Sequence, residues 1–141
     1  MEYLKDGKDY IVRLEKDELI MESLKKMMLT EKIPSAYLVG LGALKKSELG
    51  FYHLDKKEYS KKVFENEMEL VSLVGNMSWH KEEPIVHIHV GLGDEDFHLY
   101  GGHLFDAVVA VTVEIRVQVY TTKIERHFHE DIGLNLMRCR I

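Results

Sequence analysis

Apolar and polar residues alternate along most of this chain, and one early stretch breaks that rule with a helical spacing instead. Alternation sends successive side chains to opposite faces of a β-strand. Asp9-Tyr10-Ile11-Val12-Arg13-Leu14 alternates and predicts a first strand. Ile20, Leu24, Met27 and Met28 then recur at helical spacing, with Glu18, Glu22, Lys25 and Lys26 elsewhere on the helix. They predict an amphipathic helix over residues 17–31, capped by Asp17 and ended before Pro34. Its methionines suit a helix face packed on a sheet.

After Ser35 the β pattern returns. Ala36 to Leu44 is apolar and β-compatible, Lys46 to Leu54 predicts a second strand, and Glu58 to Phe64 a third. Glu69 to Trp79 is a long strand with a bend expected at Gly75. Pro84 opens a strand that runs to Leu92, and Gly93-Asp94-Glu95-Asp96 is a turn. Phe97 to Tyr100 leads into Gly101-Gly102-His103-Leu104, with a turn or short helical stretch expected over Phe105 to Val108. Ala107 to Tyr120 is nearly continuous in β-branched residues, the pattern of a central strand buried on both faces. Leu134-Asn135-Leu136 reads as a short closing strand.

One main helix and about seven strands with short turns predict an α+β fold built on an antiparallel-rich mixed sheet. A single helix covers only part of one sheet face. The remainder is expected to bury itself by curling like a barrel or by meeting other subunits, which makes a homo-oligomer the expectation.

Composition narrows the setting. The chain has 141 residues, 45% of them hydrophobic and 30% charged, and reads as a single domain over residues 1–141. No apolar run approaches the ~20 residues that span a bilayer. The first residues lack the basic and apolar regions of a signal peptide, so the expected location is cytoplasmic, with no membrane partner. Cys139 is the one cysteine, which rules out an intrachain disulfide. The net charge of −5 and the scattered lysine pairs argue against direct DNA binding, which needs a concentrated basic face for phosphate.

The candidate chemistry gathers around Val86-His87-Ile88-His89-Val90. His87 and His89 share one strand face, about 7 Å apart. His103, after a Gly-Gly pair, is the natural third member. Neutral imidazole is a ready ligand for divalent metals, and three such nitrogens with one open position form a catalytic zinc arrangement. The same residues also fit an anion site, or half-buried strand histidines bonded to backbone. Gly101 and Gly102 suit either backbone N–H groups aimed at an anionic ligand or a close strand crossing. Gly40-Leu41-Gly42 lacks the third glycine and the helix of a dinucleotide fingerprint. Glu114 is the one charged residue between Ala107 and Ile115. It suits orienting a histidine or acting as a general base, and equally pairing with Arg116 or Arg126 or facing solvent. His127-Phe128-His129 lies in polar surroundings and reads as a surface or intersubunit feature.

These motifs, in this order, resemble the plants-and-prokaryotes-conserved (PPC) domain family. The residues that carry the resemblance are Gly40-x-Gly42, Leu49-Gly50-Phe51-Tyr52, Gly75-Asn76-Met77, Val86 to Val90, Gly101-Gly102-His103-Leu104 and Val113-Glu114-Ile115. The likeness runs from about Tyr10 to Leu136. It implies an α+β fold, a homotrimer, and a metal, zinc foremost, at His87, His89 and His103. In plants this domain follows AT-hook motifs. The Arg-Gly-Arg-Pro core of an AT-hook is missing here, so the plant DNA-binding role does not carry over. The leading expectation is a homotrimer with a metal or small-molecule site at the three histidines, bordered by Gly101, Gly102 and Glu114. Its role would be ligand binding, or hydrolytic or lyase chemistry. The alternative is a DNA-associated, transcription-related interaction module.

Overall fold

A computed structural model describes residues 1–139. Nine strands and one helix follow in chain order: β1 (Glu2–Asp6), β2 (Asp9–Glu15), α1 (Ile20–Thr30), β3 (Ser35–His53), β4 (Glu58–Phe64), β5 (Met68–His80), β6 (Glu83–Gly93), β7 (Leu99–Tyr120), β8 (Arg126–His129) and β9 (Leu134–Met137). Seven strands form one sheet in the order β1-β2-β7-β6-β5-β3-β4, and β8 with β9 forms a separate hairpin. Every named ladder is antiparallel, while one isolated parallel bridge joins Trp79 to Glu125. The α+β class and the seven-stranded antiparallel sheet match the expectation.

Two long strands close the sheet on itself. β3 pairs with β7 from Ser35 opposite Tyr120 to Gly50 opposite His103. On its other edge β3 meets β5 through Ala36–Leu44 and β4 through Ser47–His53. β7 likewise meets β2 through Thr112–Val117 and β6 through Leu99–His103. Since β5 and β6 also pair, β3, β5, β6 and β7 complete a ring. The curl needs sharp bends, and β3 supplies them as register shifts at Gly42/Leu44, Leu44/Lys46 and Glu48/Leu49. Gly42 has φ +155°, and a Cβ there would lie 2.2 Å from the Thr112 carbonyl oxygen. Only glycine fits that crossing.

The inward faces make one core. Val12 and Leu14, Leu38 and Leu44, Leu73 and Met77, Ile88 and Leu92, and Val109 and Val113 are all buried in it. α1 closes the core with Ile20, Leu24, Met27 and Met28, the four positions its spacing picked out.

Three expectations change. The helix begins at Ile20 rather than at residue 17, because Asp17 takes φ 73° and its N–H donates to the Val109 carbonyl at 3.0 Å. Pairing with β7 thus holds residues 17–19 out of the helix, and Asp106 accepts from the Met21 N–H at 3.2 Å in place of a local cap. Asp17 pairs instead with Lys45. No turn interrupts Phe105 to Val108, because β3 lies alongside and keeps the backbone extended. Finally, β7 is central but not buried on both faces: Val113, Ile115 and Val117 point inward while Glu114, Arg116 and Gln118 face out. A ring buries its inside only, so β-branched content alone did not report two-sided burial.

Gly75 on β5 abuts the histidine strand. A Cβ at this position would sit 2.4 Å from the His87 carbonyl oxygen. Gly75→Ala is therefore expected to lower stability by about 1–3 kcal/mol through forced strand separation. Urea unfolding of the variant checks this, and an unchanged midpoint would refute the close approach.

Candidate metal centre

β6 and β7 bring the three histidines together by register. Val86, Ile88 and Val90 point into the core, so His87 and His89 project from the outer face. His89 stands directly opposite His103, and Asn76 on β5 stands directly opposite His87. The imidazole centroids lie 5.2 Å apart for His87–His89 and His87–His103, and 5.5 Å apart for His89–His103. Their ligand nitrogens all fall within 4.8 Å of one another. His89 is exposed, and the other two are half-buried.

One wall of the site is aromatic. His103 packs against Tyr59 and Phe105, at centroid distances of 5.1 and 5.0 Å. Space for those rings comes from Gly50, where a Cβ would lie 2.4 Å from Phe105 Cε2. His103 Nδ1 is buried without a hydrogen-bond partner. An unsatisfied buried nitrogen is costly, and ligation of a metal would offset that cost.

The other wall is Arg126, carried in by the β8–β9 hairpin. Its guanidinium donates from Nε to Ser78 Oγ (2.8 Å), from Nη1 to the Asn135 carbonyl (3.0 Å), and from Nη2 to Asn76 Oδ1 (2.8 Å). Nη2 also lies 3.2 Å from His87 Nδ1. Arginine only donates, so Nδ1 of His87 accepts and the ring's proton sits on Nε2. Metal-binding histidines ordinarily give their second N–H to an acceptor. Here the second nitrogen meets a donor, which opposes a cation at His87.

Both half-buried rings are held neutral. Burial, then the Arg126 charge and the neighbouring imidazoles, push His87 from 6.5 down to about 4. Burial also lowers His103, helped by His89, Arg126 and Lys61. Neutral imidazole is the form that ligates. The three imidazoles lie close enough to share one ion, and they fit a divalent metal of the zinc type once His87 exchanges its contact with Arg126 for the ion and so frees a ring nitrogen.

The remaining candidate residues lie elsewhere or act differently. Glu114 sits on the far half of β7, opposite Arg13 and Leu41, so the structure does not bring it to the histidines. Gly101 and Gly102 border the site as a close strand passage. Added Cβ atoms would lie 3.0 Å from the Val90 carbonyl and 2.9 Å from the Gly50 carbonyl. His127 and His129 stay exposed on β8, outside the cluster. Sequence reasoning missed the parts played by Arg126, Asn76, Tyr59 and Phe105. In the sequence Arg126 reads as a partner for Glu114, and its local pattern gives no sign that it turns toward His87.

The depressed His87 value has a consequence for stability. The unfolded chain takes up a proton near 6.5, whereas the native ring refuses it until about 4. Stability of chelator-treated protein should therefore rise with pH across that window and fall as pH drops through it. His87→Gln is expected to flatten this slope. Urea midpoints at several pH values check it, and equal slopes in both proteins would count against the assignment.

Comparison with known proteins gives the chain's family. A protein from Pyrococcus horikoshii described as plant- and prokaryote-conserved (PPC) is 34% identical, with TM-score 0.88, covering 96% of this chain and 94% of that one. A protein from Archaeoglobus fulgidus described as metal-containing is 33% identical, with TM-score 0.86 and coverage of 97% and 96%. A candidate DNA-binding protein from Bacteroides thetaiotaomicron is 31% identical, with TM-score 0.94 and coverage of 97% and 96%. No curated protein matches the chain. The family model of the Plants and Prokaryotes Conserved (PCC) domain matches residues 1–121, and the chain belongs to that family.

Proposed function

We propose that this chain forms a homotrimer that holds a divalent metal, zinc foremost, at His87, His89 and His103. The site serves small-ligand binding or a hydrolytic or lyase reaction. The observation that carries this reading is the cluster of three imidazoles within 4.8 Å, with His103 Nδ1 buried and unpartnered. The description of the Archaeoglobus relative as metal-containing supports it. A metal bound there supplies Lewis-acid polarisation of a ligand oxygen. The chain's own residues divide the remaining work. Tyr59 and Phe105 keep water from one side of His103, Arg126 and Asn76 fix the His87 side, and the exposed edge at His89 admits the ligand.

The trimer rests on the outer sheet face. Cross-strand neighbours form one row: Leu4, Ile11, Arg116, Val39, Val74, His89, His103. Ile11, Val39 and Val74 remain 53%, 48% and 43% exposed, and Leu41 beside them 56%. Apolar residues exposed on this face, interrupted in the row by Arg116, form the docking surface for another copy in this reading. The apolar part of the row ends at His89, and a subunit boundary would then lie beside the site.

Elemental analysis of untagged protein is expected to find near-stoichiometric zinc or another transition metal, lost in His87→Ala/His89→Ala/His103→Ala. No metal in either protein would overturn the metal centre. The weight would then move to the DNA-associated reading, which the Bacteroides relative favours and whose signature is strongly salt-dependent duplex binding. Sedimentation at micromolar concentration should give a trimer, and Val39→Asp/Val74→Asp should shift it to monomer. A wild-type monomer would refute the assembly.

A further inference from the structure

Arg126 is the one charged residue among the buried ones described, at 8% exposure. Buried charges are ordinarily matched by an opposite charge, because taking an ion out of water is expensive. Arg126 has no such match. Its four partners are a hydroxyl, a backbone carbonyl, a side-chain amide and an imidazole, all neutral. Among the described residues no carboxylate pairs with it, whereas Lys61 across the site already has Glu48 at 3.2 Å. Of its five N–H groups four are engaged, which leaves one on Nη1.

Its surroundings repeat the message. The charged groups acting on His87 and His103 are Arg126, Lys61 and the other imidazoles, without a single acid among them. His87, with Nδ1 occupied by Arg126, keeps an N–H donor at Nε2 while no metal is ligated there. A divalent metal ligated at that ring would replace this donor with its own positive charge. Donors, an unmatched guanidinium and an exposed edge at His89 make a receptor for negative charge.

We infer that the ligand of this site is a small oxyanion, a carboxylate or phosphate group, seated between the three imidazoles and the uncompensated Arg126 guanidinium. The inference rests on the binding role proposed above for the histidines and names the class of molecule they bind. Arg126 is its positioning residue and counter-charge. The field of the guanidinium holds the oxyanion, while Asn76 and Ser78 keep the guanidinium from turning away.

Calorimetric titration with inorganic phosphate and with acetate, on zinc-treated and chelator-treated protein, tests it. Binding of either probe at millimolar concentration, weakened about tenfold or more in Arg126→Gln, is the expected result. The tighter probe distinguishes a phosphorylated ligand from a carboxylic acid. No binding in either state, or binding that ignores Arg126→Gln, overturns the inference. Because Arg126 also anchors the hairpin, a second readout uses the wild-type chain. The imidazole ¹⁵N resonances of His87 and His103 should shift with added phosphate or acetate, and unmoved resonances would equally overturn it. Running both metal states separates the two readings. Failure of the metal centre leaves oxyanion binding that ignores zinc, and failure of the oxyanion site leaves zinc binding that ignores phosphate and acetate.

Discussion

The pairing of β3 with β7 along nearly their whole lengths is the constraint on which the rest of the molecule depends. Each strand serves two partners on its far edge, changing partner where its register slips. That exchange turns an open sheet into a ring and leaves β6 clasped between β5 and the first part of β7. The His89 backbone is therefore fixed from both sides and that of His87 from the β5 side, and His103 enters from the strand that completes the ring. Histidines on a loop would need their own scaffolding; here the ladder that closes the barrel sets their spacing.

A second requirement is electrical. The barrel interior is apolar, and its outer wall beneath the hairpin carries a guanidinium, an amide, a hydroxyl and two half-buried rings. The guanidinium is tolerable because four neutral acceptors replace most of its lost water. It in turn helps to keep the nearby rings uncharged. The hairpin, the β5 surface and the histidine strand are thus joined by one polar network with no apolar core of its own.

Much of this was legible in the sequence because periodicity reports what a strand buries. Alternation at Val86 to Val90 placed His87 and His89 on one face, and the helix was marked by Ile20, Leu24, Met27 and Met28. The glycine pair before His103 signalled a strand passing close to its neighbours. Other features were illegible for physical reasons. β1 is mostly exposed and carries little apolar contrast. The partner exchange in β7 leaves no mark in a run of valines, which is why one-sided burial was read as two-sided. The helix start depended on a bridge to Val108, nearly ninety residues away in sequence. Arg126 is the clearest case. Its neighbours are polar, and only the path of the chain beyond β7 turns it inward.

That path has a mechanical consequence. The barrel supplies the imidazoles, and the hairpin after β7 supplies the fixed positive charge through Arg126. The hairpin is a sheet of its own, so lifting it would withdraw the charge from His87 without breaking a ladder of the ring. The hold of one short hairpin thereby sets whether a guanidinium stands beside the imidazoles at all.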